Sequence, residues 1–210
     1  MLNKIIILLN IFFLVFLSSC KSDSEKSNIK QLESPSSCFY SYNEGTTKFS
    51  WEAYKTSERV GVLGGFNEIE VKSKKFDDPI SVIESISFEI NTSSVETNNL
   101  ERNGKILKYF FETINTPTIK GSIISLNDDG TCKINIKMNL LSYDVIGKYS
   151  LAENIFSFTS IVDVSSWNAM SGIIALNNVC RDVHTGKDGI SKLWPQVRLS
   201  LTTKLKSDCD

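Results

Sequence analysis

The chain has 210 residues, 41% of them hydrophobic, and 23 Lys and Arg against 24 Asp and Glu give it a formal net charge of -1. Without a basic excess it has no electrostatic footprint for nucleic acid, and its length suits one domain with a sizeable core. A single histidine, His184, leaves neither a Ser-His-Asp set nor a histidine-rich metal site with the parts it needs.

At the N-terminus Lys4 precedes an apolar run from Ile5 to Leu17, which ends in Ser18-Ser19-Cys20 and the charged Lys21. At ~1.5 Å per residue this run reaches only about 20 Å, short of a ~30 Å hydrocarbon core, so it reads as a cleaved signal and not as a membrane span. Leu17-Ser18-Ser19-Cys20 resembles the lipobox of bacterial lipoproteins. That resemblance implies removal of residues 1–19 as a signal peptide and lipidation of Cys20, so that an N-terminal lipid anchor holds the protein on a membrane. Loss of Lys4 alone among the charged groups takes the net charge from -1 to about -2. Residues 21–37 are rich in Ser, Lys and Glu, too polar to fold, and form a tether with an r.m.s. reach of about 20 to 25 Å. The expected layout is a signal over 1–19, a lipidated cysteine and tether over 20–37, and a folded domain over 38–210. The expected location is the bacterial cell envelope. Lys21 does not resemble the aspartate associated with inner-membrane retention, which favours the outer membrane, facing the periplasm.

The domain carries Cys38, Cys132, Cys180 and Cys209. An even set outside the cytoplasm predicts two disulfides, for which three pairings exist. If the first and last strands are antiparallel neighbours, Cys38 meets Cys209 and Cys132 is left with Cys180. The absence of any Cys-x-x-Cys spacing argues against a redox role.

From residue 38 onward the dominant pattern is period-two alternation, the mark of strands with one apolar face. Phe49, Trp51 and Ala53 alternate with polar residues, followed by Ile86, Phe88 and Ile90. Ile134, Ile136, Met138 and Leu140 do the same, and so do Val197, Leu199, Leu201 and Leu205. Further strands are predicted near 38–43, 60–71, 118–126, 143–151 and 155–164, with turns at Asn43-Glu44-Gly45, Asp128-Asp129-Gly130 and Ala152-Glu153-Asn154. Two helical stretches interrupt them. Leu100, Ile106, Leu107, Phe110, Phe111 and Ile114 recur at helical spacing before Pro117. Ser165 to Val183 carries a rougher stripe, with Asp163 or a serine as N-cap, Gly172 as a weak point and Gly186 as a stop. Eight or nine antiparallel strands with one oily face must close on themselves, so the predicted fold is all-β, an eight-stranded lipocalin-like barrel with one or two helical insertions.

The order of motifs is specific. Gly61-Val62-Leu63-Gly64-Gly65-Phe66 follows the first strand pair, Ser87-Phe88-Glu89-Ile90-Asn91-Thr92 forms a strand, and Tyr109-Phe110-Phe111 and Thr116-Pro117-Thr118-Ile119 come next. Over about residues 39 to 205 this resembles the YceI-like family. The resemblance implies an extended lipocalin-like barrel enclosing a long apolar chain such as a polyisoprenoid or isoprenoid quinone. The sequence departs from the family pattern twice. Leu141 to Gly147 lacks a histidine before the glycine, and Asp163-Val164-Ser165-Ser166-Trp167-Asn168 replaces an Arg-x-x-Phe-Gly stretch.

Phe49, Trp51, Phe66, Phe88, Ile90, Phe110, Phe111, Ile136, Met138, Phe156, Phe158 and Leu199 are the residues expected inside the barrel. Read alone they are a packed core. Read with the family resemblance they become the candidate lining of a lipid site, with no cofactor beyond a bound isoprenoid lipid. Gly61-x-x-Gly64-Gly65 lacks the following helix of a phosphate loop and reads as a bulge or bend in a strand. Cys180, Asp182, His184 and Asp188 are close in sequence, but His184 at a helix C-terminus, favourably charged, and a disulfide-bonded Cys180 explain them without a metal. No nucleophile, base and orienting group assemble, which points away from an enzyme. The leading reading is an envelope lipoprotein that binds or carries an isoprenoid-type lipid. Its competitor is a filled barrel that binds another protein through its outer face or the 165–186 insertion, and homodimerisation stays open in either case.

Overall fold

The computed structural model describes residues 37–209, so the signal peptide, Cys20 and all but the last residue of the tether lie outside the described residues. The chain runs β1 (Cys38–Ser41), β2 (Lys48–Lys55), β3 (Val60–Phe66), β4 (Ile69–Lys72), α1 (Pro79–Glu84), β5 (Ser87–Asn91), β6 (Val95–Glu96) and α2 (Leu100–Ile106). It continues through β7 (Thr118–Leu126), β8 (Thr131–Met138), β9 (Leu141–Ala152), β10 (Ile155–Asp163), α3 (Met170–Val179), α4 (Arg181–His184), β11 (Leu193–Lys204) and β12 (Lys206–Cys209). Among the described residues no helix is long and apolar enough to cross a membrane.

Ten of the strands form one antiparallel sheet in the order β4-β5-β7-β8-β9-β10-β11-β2-β3-β6. The order curls back on itself because β3 and β4 are one bent run, as are β5 and β6. β3 pairs β2 on one side (Trp51 opposite Gly64) and β6 on the other (Gly65 opposite Glu96), while β4 pairs β5 (Ile69 opposite Ile90). Across the bend the Asn67 N–H donates to the Ser94 carbonyl at 2.9 Å and the Asn91 N–H to the Glu68 carbonyl at 3.1 Å. The predicted eight-stranded wall is thus eight rows, two of them bent. Gly64 and Gly65 lie within the regular part of β3, and the bend expected there falls just after Phe66.

Beyond the bend β4 is laddered on one side only, so a seam remains between its outer edge and the start of β2. One end of the wall is closed by the β1-β12 ribbon, which the Cys38–Cys209 disulfide joins, and by α1. The Asp78 carboxylate caps α1 by accepting from the N–H groups of Ile80 and Ser81 at 3.2 and 2.8 Å, with Pro79 in the first turn. Val82 and Ile83 are driven fully into a core with Cys132, Phe156 and Leu205. The opposite end is capped by α2, α3 and the turns that flank them, around Ile114, Val164, Trp167 and Ile173.

Three expectations are corrected. Cys132 and Cys180 are free and buried, not bridged. Cys132 opens β8 in the α1 core, whereas Cys180 ends α3 beside Lys55 and Lys105, and a disulfide demands Cα atoms within about 7 Å. Leu140 does not continue the inward stripe: Asn139 and Leu140 take φ of 47° and 63° as the β8-β9 turn, leaving Leu140 85% exposed at its tip. The second helical stretch is broken. Asp163 caps a short 3-10 turn over Val164–Trp167, a left-handed Asn168 ends it, α3 then starts at Met170, and α4 stops at Thr185, one residue before Gly186.

Candidate functional site: an apolar lumen

The inward faces of the strands enclose a cavity of about 580 Å³. Phe49, Trp51, Phe66, Phe88, Ile90, Phe110, Phe111, Ile136, Met138, Phe158 and Leu199 all line it. Phe156 does not. It is wholly buried in the core around α1, its ring 6.0 Å from that of Tyr149.

A barrel with this many inward aromatic rings would fill itself if the rings projected radially. They do not, because several lie against glycine. Trp51 faces Gly64 across the β2-β3 ladder, and Phe88 faces Gly121 across β5-β7. Phe158 leans diagonally over Gly147 of β9. A Cβ on any of these three glycines would overlap the ring beside it, so each missing side chain is a recess that takes an aromatic ring out of the lumen.

The helical lid places a second group of rings. After α2 the helix widens into a π turn over Leu107–Phe111, in which the Glu112 N–H reaches the Leu107 carbonyl at 2.9 Å. This wide turn lets two consecutive residues face the lumen. The Phe110 and Phe111 rings sit edge to face at 5.1 Å, and Phe111 reaches Phe66 at 5.9 Å. Gly172 of α3 lets that helix close on Phe110, where a Cβ would meet the ring at 2.7 Å. The glycine that weakens α3 as an isolated helix therefore seats it on the lid.

Alternation could also have supplied Ile134, Val197 and Leu201, which line the cavity as well. Trp167, Ile173 and Leu176 come from the insertion, where the rough stripe through Trp167, Met170, Ile174 and Val179 found Trp167 but otherwise marked the exposed face. Trp167 is 3% exposed, donates from Nε1 to the Ile136 carbonyl at 3.0 Å, and packs edge to face on Tyr143 at 5.5 Å. Tyr143 and Trp167 belong to the two stretches that depart from the family pattern, so these departures are neighbours in space. Polar residues line the lumen in one place: Tyr42, Glu44, Thr47, Lys48, Asn67 and Thr203, around the start of β2.

The YceI-like domain pattern matches residues 23–202. The chain belongs to the YceI-like family. No curated protein matches it. The YceI-like fold recurs in the solved structure of a polyisoprenoid binding domain from Saccharophagus degradans implicated in plant cell wall breakdown, at 12% identity and a TM-score of 0.56, covering 82% of this chain and 99% of that one. Burkholderia cenocepacia BcnA is similar at 13% identity and a TM-score of 0.52, covering 76% of this chain and 96% of that one.

Burial sets the state of the titratable groups inside this YceI-like domain. Burial pushes the Cys132 thiol up to about 11 and raises Cys180 as well, so neither is a thiolate at neutral pH. Among the described residues no three His, Cys, Asp or Glu side chains gather as a metal site. His184 does end a helix, but burial, and secondarily the charge of Lys55, hold its pKa at about 4, so the ring is neutral and not the expected cation. Its Nδ1 lies 3.0 Å from Asn177 Oδ1. In the unfolded chain this histidine takes a proton near pH 6.5, whereas the folded state refuses it down to about 4. Stability is then full above pH 6.5 and falls as the pH drops toward 4, by on the order of 2 kcal/mol. Urea unfolding of His184→Asn beside the parent at pH 7.5 and 4.5 checks this: the substitution should remove that part of the pH dependence.

Proposed function

We propose that this protein is a non-enzymatic envelope lipoprotein that holds one long apolar lipid of isoprenoid type inside its barrel. The observation that carries the reading is the lumen itself, about 580 Å³ lined by aliphatic and aromatic side chains and left open by rings recessed on glycines. A dry cavity of about 150 Å³ accommodates benzene, or about 25 Å³ per carbon, so this lumen takes a chain of roughly 20 to 25 carbons, four or five isoprene units. Each buried methylene contributes about 0.8 kcal/mol gross, enough for useful affinity without charged contacts. The polyisoprenoid binding named for the Saccharophagus degradans domain supports the same ligand class. Lipidation at Cys20 and a tether would keep the barrel beside the outer membrane, facing the periplasm, where such a lipid is delivered or collected. An open lumen favours this reading over a filled barrel that only binds proteins.

Titration of the delipidated domain with all-trans prenyl alcohols of 10, 15, 20, 25 and 40 carbons, followed by tryptophan fluorescence, tests it. Trp51, Trp167 and Trp194 all line the cavity and report its filling. Affinity should rise to 20 or 25 carbons and then level off. No saturable binding at any length would refute the carrier reading.

A further inference from the structure

Resting on that lipid-carrier reading, we infer that the seam between β2 and β4 is a side door opening onto the bilayer that holds the Cys20 anchor, so that the ligand passes between membrane and lumen without crossing water. The β2-β3 ladder stops at Trp51 and Gly64, and beyond the bend β4 pairs with β5 alone. The start of β2 and the outer edge of β4 therefore border the seam with no ladder between them, whereas every other join in the wall is a ladder. Widening the seam breaks no ladder hydrogen bond, so it is the place where the wall opens at least cost. Phe49, Phe66, Ile69 and Val71 line the lumen on its two sides, and Tyr42, Glu44 and Thr47, from the connection between β1 and β2, form its polar rim. The Phe49 and Phe66 rings stack at 6.4 Å and Phe66 continues to Phe111 of the lid at 5.9 Å, so an apolar path leads inward from the seam.

The tether enters at the same place. From Cys38, fixed by its disulfide to Cys209, the chain runs through Tyr40, whose backbone is bridged to Phe76, to Tyr42 at the lumen. The four steps from Cys38 to Tyr42 span at most about 14 Å of extended chain. A tether with a reach of about 20 to 25 Å thus brings the seam, and not the helical lid, to the surface in which Cys20 is anchored. Two exposed apolar side chains can seat it there. Phe39 and Ile80 are 43% and 42% exposed, on β1 and on the first turn of α1, and they flank the Tyr40–Phe76 bridge in the sequence. Their neighbours Tyr40, Val82 and Ile83 serve the core, whereas Phe39 and Ile80 gain burial only by entering the boundary between lipid headgroups and acyl chains.

In the experiment the full chain, freed of bound ligand, is reconstituted through its anchor into vesicles of phosphatidylethanolamine and phosphatidylglycerol. Geranylgeraniol is supplied either in those vesicles or in separate ones. Loading, read from tryptophan fluorescence, should be at least ten-fold faster from the same membrane. Phe39→Ser combined with Ile80→Ser should slow it three- to ten-fold and leave the affinity for geranylgeraniol added from solution unchanged. Leu100→Ser combined with Ile174→Ser, exposed on the helical lid at the opposite end, should change neither. Equal rates from the two sources, a Phe39 and Ile80 pair that loads at the parent rate, a slowdown by the lid pair, or a full chain that does not stay with the vesicles overturns the side door while carriage stands. If geranylgeraniol fills the lumen from neither vesicles nor solution, the carrier reading falls and the side door with it.

Discussion

Gly64→Val should cost the lumen its ligand: an affinity loss of more than ten-fold for a 20-carbon prenyl alcohol, with the fold retained. A Cβ here meets the Trp51 indole at Cζ2, Cη2 and Cε2, atoms of a side chain that can swing aside at the expense of its Nε1 hydrogen bond to the Gly65 carbonyl at 3.3 Å. The displaced ring then occupies space the lipid needs, while the strain on the fold stays within the about 1 to 3 kcal/mol usual for overpacking. Gly121 makes the contrasting case. A Cβ there would overlap not only Phe88 but also approach the Asn135 carbonyl at 2.6 Å, and backbone cannot swing aside. Gly121→Ala should therefore lower the melting temperature more than Gly64→Val does, although it adds a smaller side chain. Lipid titration and thermal unfolding of the two variants side by side separate a blocked lumen from a broken wall.

Breaking the Cys38–Cys209 bond should destabilise the domain by about 3 to 5 kcal/mol, as expected for a cross-link closing a loop of 171 residues. The ribbon it closes is small. The β1-β12 ribbon has four residue pairs, and a ribbon of that size is not stable alone. Tyr40 of β1 exchanges hydrogen bonds with Phe76 at 2.6 and 3.1 Å and packs against the core under α1, so fraying would uncover Val82 and Ile83. Urea unfolding of Cys209→Ser, and of the parent protein in reductant, should show the same loss. Equal stability of the oxidised and reduced protein would mean that the ribbon is held by packing instead.

Much of the barrel was legible because alternation is a local signal. Residues 133–138 read as a half-buried strand and are one, and the 60–71 run read as a single strand is the bent β3-β4 row. The pattern misled at Leu140, where parity continues through two left-handed residues that turn the chain outward. Phe156 shows a different limit: its inward parity is right, but parity does not say whether an inward residue meets the lumen or the core beneath it, and α1 decides that. Helix α1 itself went unpredicted, although Asp78-Pro79 is a start signal, because it is only six residues long. The polar rim had no signature at all. Glu44, Lys48 and Asn67 are ordinary surface residues in sequence and border the cavity only because the wall curls. The free Cys132 and Cys180 likewise reflect a distance between the two ends of the barrel that cysteine counting does not contain.

What the purified protein carries distinguishes a lipid site in the lumen from a loosely packed core. The most direct measurement is organic-solvent extraction of the full chain, purified from a bacterial membrane fraction, followed by mass spectrometry of the extract. One prenyl lipid per protein molecule is expected, with about 20 to 25 carbons in its chain. A stoichiometric yield of protein with no extractable lipid, from a preparation that also fails to take up added prenyl alcohol, would contradict it.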